Sequence, residues 1–197
     1  MPGAELTREI LGTAYLLLPV LSGAAVHGLC MRYGWLACLA RPMDAGRRFR
    51  GRPLFGASKT FRGPVAVALG AAAAFALQGR LLHRLDAFAS IELVDYAQLP
   101  GWWLALLAGA AAELSELPNS FVKRRLGIEA GGTARGGLGV LFYLWDQLDL
   151  LVGFWLVFAF AVPSTPLRVV ASVALVGALH PLVTLVGWAL GMRKTPR

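Results

Sequence analysis

Residues 138–162 read LGVLFYLWDQLDLLVGFWLVFAFAV, an apolar run interrupted only by Asp146, Gln147 and Asp149. About 20 mostly apolar residues, rising about 1.5 Å each, cross a hydrocarbon core roughly 30 Å thick. The run has no period-two alternation, and backbone in lipid must satisfy its own hydrogen bonds, so it reads as a helix and not as a barrel strand. Carboxylates at membrane depth are costly and mark function by default.

Working outward, four more stretches share this length and polarity, at roughly 10–31, 64–83, 100–117 and 168–190. With the span at roughly 139–162 they predict an all-α polytopic integral membrane protein. The expected architecture is a bundle of about five transmembrane helices in a single membrane domain covering 1–197, with a polar site facing the cytoplasm. Composition agrees, because 57% of the 197 residues are apolar and only 15% are charged, against about a quarter charged in soluble domains. Gly70 to Ala74 and Ala108 to Ala112 are runs of small residues that let helix backbones approach. The first stretch is too long for a signal peptide, and Leu29 is no cleavage-site residue, so it reads as a retained span. Cys30 and Cys38 are the only cysteines, make neither a zinc site nor a disulfide framework, and read as packing residues.

Basic residues fix the expected orientation. Residues 32–63 carry Arg32, Arg41, Arg47, Arg48, Arg50, Arg52, Lys59 and Arg62; residues 118–138 carry Lys123, Arg124, Arg125 and Arg135; the tail carries Arg193, Lys194 and Arg197. The opposite side has Arg8, Arg80, Arg84 and Arg168, offset by Asp86, Glu92 and Asp95. The N-terminus is therefore expected outside, and the C-terminus with loops 32–63 and 118–138 in the cytoplasm, in a cell inner membrane. Much of the net charge of +8 then faces an anionic leaflet and anionic ligands, with no nucleic acid among the expected partners.

Three segments could carry chemistry. Asp146 and Asp149, three apart on a helix, present two carboxylates on one face, which suits a hard divalent cation or a buried pair neutralised by arginine. Glu116, Ser120, Lys123 and Arg124 share a second face, and Pro118 predicts a break or kink just before Ser120. An ordinary helix end, capped by Asn119 or Ser120 and flanked by interfacial bases, explains the same letters. The third segment runs from Asp44 through Gly56-Ala57-Ser58-Lys59-Thr60-Phe61-Arg62-Gly63. It offers glycines for close phosphate approach, with ammonium, hydroxyl and guanidinium donors, but not the spacing of a P-loop. Such a long loop is either disordered or folded around a ligand. His27 and His180 fall in spans and read as packing residues, while Trp102, Trp103 and Trp188 read as interfacial anchors.

Taken together, the segments Pro42-Met43-Asp44 with Gly46 and Gly56 to Gly63, Ser120 to Ile128, and Asp146-Gln147-Leu148-Asp149 resemble the integral-membrane CTP:lipid-phosphate cytidylyltransferases. The closest branch is the CDP-archaeol synthase family with its related bacterial members, and the likeness covers most of the chain. The resemblance implies transfer of CMP from CTP to a membrane lipid phosphate, an archaeal-type unsaturated diether glycerol phosphate or similar, giving a CDP-lipid and pyrophosphate. It implies Mg²⁺ held by Asp146, Asp149 and Glu116, catalysis by these aspartates with Lys123 and Arg124, and nucleotide binding by Ser120, Lys59, Thr60, Arg62, Gly63 and Asp44. Glu116 stands where the family pattern has aspartate, and Trp145 where a smaller aliphatic residue is expected. The related CDP-diacylglycerol synthase branch, acting on phosphatidate, carries Lys-Asp after its Lys-Arg and Gly-His-Gly before its metal acids, and both are missing here. A small ion or proton transporter using Glu116, Asp146 and Asp149, and a non-catalytic lipid-binding subunit, are the alternatives from other classes. The resemblance is compatible with a homodimer.

Overall fold

Five apolar helices close a ring in the computed structural model, which describes residues 2–95, 101–132, 134 and 136–189, without the side chains at 2, 180–184 and 186–189. The α-helices among the described residues are α1 (Pro2–Tyr33), α2 (Arg62–Arg80), α3 (Asp86–Ala89), α4 (Trp102–Leu114), α5 (Glu116–Arg125), α6 (Gly136–Phe158) and α7 (Pro166–Ala189), and the ring is made of all but the short α3 and α5. Two short strands, β1 (Arg48–Phe49) and β2 (Arg52–Pro53), pair antiparallel in the loop between α1 and α2. Around the ring, α1 packs on α2, α2 on α4, α4 on α6, and α7 closes between α6 and α1.

Small residues make those contacts, as the glycine and alanine runs predict. A Cβ on Gly23 would lie 2.3 Å from the Val67 carbonyl oxygen, one on Gly109 2.8 Å from the same atom, and one on Gly153 2.2 Å from that of Ala111. No real Cβ tolerates such distances, so α1 and α4 meet α2, and α6 meets α4, at backbone range. Aromatics fill the wider part of the core, where Phe154 stacks on Phe158 at 4.6 Å and Phe75 lies against Phe158 at 6.3 Å. Leu69, Leu107, Val152, Leu156 and Val170 point outward and are exposed. An apolar exterior around a closed core suits lipid as solvent.

Among the described residues three helices are long and apolar enough to cross a membrane, at Gly3–Tyr33, Arg62–Arg84 and Gly136–Phe158. Five were expected. The expected span at 100–117 is α4, only 13 residues long, and the apolar part of α7 with described side chains is Pro166–Leu179. The α4 helix stops early because the Pro118 ring would collide with the carbonyl of the residue four earlier, Leu114. The break therefore falls at Ser115, not just before Ser120. Ser115 keeps α-helical angles (φ −63°, ψ −17°), so the helical path resumes at once as α5.

Arg135, Arg193, Lys194 and Arg197, and the side chains of His180 and Trp188, lie outside what the structure describes. Cys30 is buried and Cys38 exposed, both as free thiols. Trp102 and Trp103 are exposed at the start of α4, as interfacial anchors would be.

Candidate active site

The loop between α1 and α2 folds around one of its own side chains. Asp44, 5% exposed, accepts hydrogen bonds from the Gly46 N–H at 3.0 Å on Oδ1 and from the N–H groups of Phe55 (3.0 Å) and Gly56 (2.9 Å) on Oδ2. Burial pushes its pKa up, but these backbone donors more than offset that and hold it below the usual carboxylate range. The ends of the loop zip together through Met43 N–H to Lys59 O (2.8 Å) and Phe61 N–H to Arg41 O (3.2 Å). Asp44, expected at the nucleotide, thus organises the loop that presents Lys59 and Thr60. Gly56 sits at φ 95°, a left-handed conformation that favours glycine.

Arg125 pins this loop onto α5. Its guanidinium donates to the carbonyl oxygens of Phe49, Arg52 and Pro53, and Arg52 donates in return to the Arg125 carbonyl. The Arg125 plane lies 4.8 Å from the Phe121 ring centroid and 5.5 Å from that of Phe49. Of the three consecutive bases, the third is therefore a structural clamp, which the sequence pattern does not reveal.

The other two bases face inward. Lys123 donates to Asp146 Oδ1 and stands 5.3 Å from the Phe142 ring centroid. Trp145 stacks on that same ring, at 6.1 Å, and so buttresses the lysine's aromatic floor from the exposed side. Arg124 is 7% exposed, and its Nη1 has no hydrogen-bond partner among the described residues, while Nε reaches the Ser120 carbonyl at 3.5 Å. Its guanidinium lies beside Gly56, where a Cβ would be 3.8 Å from Nε. A buried guanidinium with an unused donor seeks an anion.

Asp146 and Asp149 come together through Asn119, which is 2% exposed. One amide nitrogen donates to Asp146 Oδ1 at 2.6 Å and to Asp149 Oδ2 at 2.8 Å. Asp149 is 3% exposed and makes no ion pair among the described residues. Ser115 Oγ lies within hydrogen-bond reach of the Asp149 carbonyl oxygen and of the Ala112 carbonyl oxygen at 2.7 Å, so the α4–α5 break is tied to α6 at this level. A buried acid without an ion-pair partner among the described residues, beside an exposed one on the same helix face, fits a hard cation that takes one or two protein carboxylates and completes its shell elsewhere.

Glu116 does not join them. Its carboxylate pairs with the Lys59 ammonium, and no group of three or more His, Cys, Asp or Glu among the described residues is placed to hold a metal. A half-buried acid takes the nearest cation, and the folded loop delivers Lys59 to it. Burial opposes the Lys59 charge, but the Glu116 carboxylate wins and holds its pKa above the ordinary lysine value.

One further placement differs from expectation. Gly63, expected to approach a phosphate, is buried against protein, since a Cβ there would lie 2.6 Å from Glu113 Oε2 and 3.3 Å from His27 Cε1. Glu113, unsuspected from sequence, lies 3.4 Å from His27 Nδ1, and its signal was the three-residue offset from Glu116 on one helical face. Thr60 forms a β-bridge with Pro42, and Arg62 begins α2 with a buried Nε that has no partner among the described residues. The structure thus brings Asn119, Lys123, Asp146 and Asp149 into one hydrogen-bonded chain, with Lys59 and Glu116 as a separate pair and with Glu116, Ser120 and Arg124 on the same short helix as Asn119.

The chain is similar to known proteins over most of its length. The family model for CarS-like CDP-archaeol synthase matches residues 6–197. The CDP-archaeol synthase of Halobacterium salinarum is 34% identical over 82% of this chain and 86% of its own. That of Aeropyrum pernix is 35% identical over 79% and 78%, and that of Methanospirillum hungatei 32% over 79% and 89%. A solved structure, an intramembrane enzyme for archaeal membrane lipid biosynthesis, superposes with a TM-score of 0.58 at 31% identity, covering 88% of this chain and 93% of that one. A match across nearly the whole chain identifies it as a member of the CDP-archaeol synthase family.

Proposed function

We propose that this CTP-dependent cytidylyltransferase transfers CMP to an archaeal-type unsaturated diether glycerol phosphate, using Asp146 and Asp149 as metal ligands and Lys123 and Arg124 as phosphate clamps. That the chain is an enzyme acting on CTP and a lipid phosphate in a membrane follows from its family. The observation that carries the site assignment is the pairing of two amide-held carboxylates with a buried guanidinium whose Nη1 is unused.

An oxygen of the lipid phosphate attacks the α-phosphorus of CTP, the bond from that phosphorus to the β-phosphate bridging oxygen breaks, and pyrophosphate leaves. The acceptor is already ionised, so no general base is needed, and catalysis consists of positioning and charge neutralisation. Mg²⁺ held by Asp146 and Asp149 supplies Lewis acidity toward the nucleotide phosphates. Arg124 gives a planar donor to phosphate oxygens from a site already stripped of water, which strengthens each bond it makes. Lys123 neutralises Asp146 when the site is empty and is within reach of a phosphate when it is filled. Lys59 leaves Glu116 for the nucleotide, with Thr60 and Arg62 beside it and Ser120 at the base. The whole chain, 1–197, works as one membrane domain, with the N-terminus outside and the site open to the cytoplasm, as its basic loops indicate.

Labelled CTP supplied with Mg²⁺ to the purified protein in liposomes tests this reading. Unsaturated diether glycerol phosphate should yield labelled CDP-lipid and stoichiometric pyrophosphate, and diacyl phosphatidate much less. Equal or faster turnover of phosphatidate overturns the acceptor assignment, and turnover independent of divalent cations overturns the metal.

A further inference from the structure

Asn119 is a neutral side chain that touches two carboxylates at once. It enters at the fourth position of α5, almost fully buried at 2% exposure, and spends its amide protons on both acids of the facing helix. An amide carries no net charge, so these bonds orient the acids without neutralising them. Asp149 in particular, 3% exposed, makes no ion pair among the described residues. Amide and ammonium bonds fall on Asp146 Oδ1, and the amide bond to Asp149 falls on Oδ2. Among the described residues Asp146 Oδ2 and Asp149 Oδ1 accept no hydrogen bond.

We infer that Asn119 is a positioning residue for the metal pair: by occupying one oxygen of each aspartate it turns the other oxygen of each toward a single cation. The inference rests on the metal reading given above and adds the group that sets its stereochemistry. The amide orientation is fixed by charge, because the flipped rotamer would set Asn119 Oδ1 against two carboxylates. In the observed orientation Oδ1 is buried and has no partner among the described residues. That is a desolvation cost the fold accepts in order to keep the donor where it is. Partners that hold metal-ligating carboxylates typically change metal affinity by about 10–100-fold when lost.

The test uses the full chain in detergent micelles with Mn²⁺ alone as probe, free Mn²⁺ being read by its electron paramagnetic resonance signal. Asn119→Leu, which keeps the branched outline and lacks the amide, should bind Mn²⁺ about 10–100-fold more weakly. Its turnover should need correspondingly more Mg²⁺, with KM for CTP at saturating Mg²⁺ within about threefold of wild type. A general packing defect would not divide the effect in this way. Should Asn119→Leu fail to fold by thermal melting, Asn119→Ala removes the same donor without a branch to accommodate. A folded variant of either kind with wild-type Mn²⁺ affinity overturns the inference, provided Asp149→Asn does weaken binding. Wild-type protein that binds no Mn²⁺, or binding that Asp149→Asn leaves unchanged, overturns the metal reading and the inference with it.

Discussion

Both ends of the helical ring carry charged side chains, and they use them in opposite ways. At the end formed by the starts of α1 and α7, Arg168 grips Glu9 with two parallel bonds of 2.7 and 2.9 Å and adds the Pro163 carbonyl at 3.0 Å. Arg8 donates to the carbonyls of Ser90 (3.0 Å) and Glu92 (3.2 Å), and His83 faces the Glu92 carboxylate at 2.9 Å. Each of these bases has a carboxylate or a backbone carbonyl as its partner, which makes a clasp. At the other end two acids share one amide, a buried guanidinium nitrogen lacks a partner, and Lys59 and Glu116 hold each other across a loop and a helix. Valences left open in a buried place belong to a site prepared for ligands that bring the missing charges.

That contrast can be broken experimentally, beginning where the effect is largest. Asp149→Asn removes the acid that has no basic partner, and CTP-dependent pyrophosphate release should fall by about three orders of magnitude while the melting temperature is held or raised. Loss of activity together with loss of folding would make Asp149 structural, like its counterparts at the far end. Arg124→Ala should lower kcat/KM for CTP by about 100-fold, near 2.7 kcal/mol, and Arg124→Lys should recover only part of this because a point charge lacks the planar fork. At the clasp, Glu9→Gln should cost about 1 kcal/mol of stability in thermal denaturation and leave kcat within about twofold. A larger effect on kcat than on melting would mean that the two ends communicate.

The smallest expected effect concerns pH. Asp44 has its folded-state pKa below the unfolded value, so its contribution is present above the ordinary carboxylate range, near pH 3.9, and is lost as the pH falls through and below it. Amide protection at Phe55 and Gly56 should fade over that acid interval, and Asp44→Asn should flatten the dependence. Persistence of the acid transition in Asp44→Asn would assign it to another carboxylate.

Hydropathy made the helical segments legible, because each run of residues that must hide from water is continuous in sequence. The Asp146/Asp149 pair and the Ser120, Lys123 and Arg124 face were legible for a related reason: helical offsets map sequence distance directly onto space. What escaped was set by contacts between segments. Asn119 read as a cap, since nothing in its neighbours shows that α6 lies within 3 Å of its amide. Gly63 read as a phosphate glycine, and only the packing of α2 on α4 shows the Glu113 carboxylate filling the space its side chain would need. Glu116 stands at a motif position where the family pattern has aspartate, and the fold of a loop more than fifty residues earlier decides its partner, Lys59. Pro118 announced a break, but the clash it causes lies one turn upstream, which moved the boundary to Ser115.

Ser115 and Asn119 together have a mechanical consequence. One holds the backbone of Asp149 and the other its side chain, from points one turn apart on the α4–α5 path. A plate fixed by a single screw can pivot, whereas two screws stop it from turning or sliding. The floor of the site is in that sense bolted, while the loop over 34–61 is fastened to α5 from the solvent side, through the exposed bonds of Arg52 and Arg125.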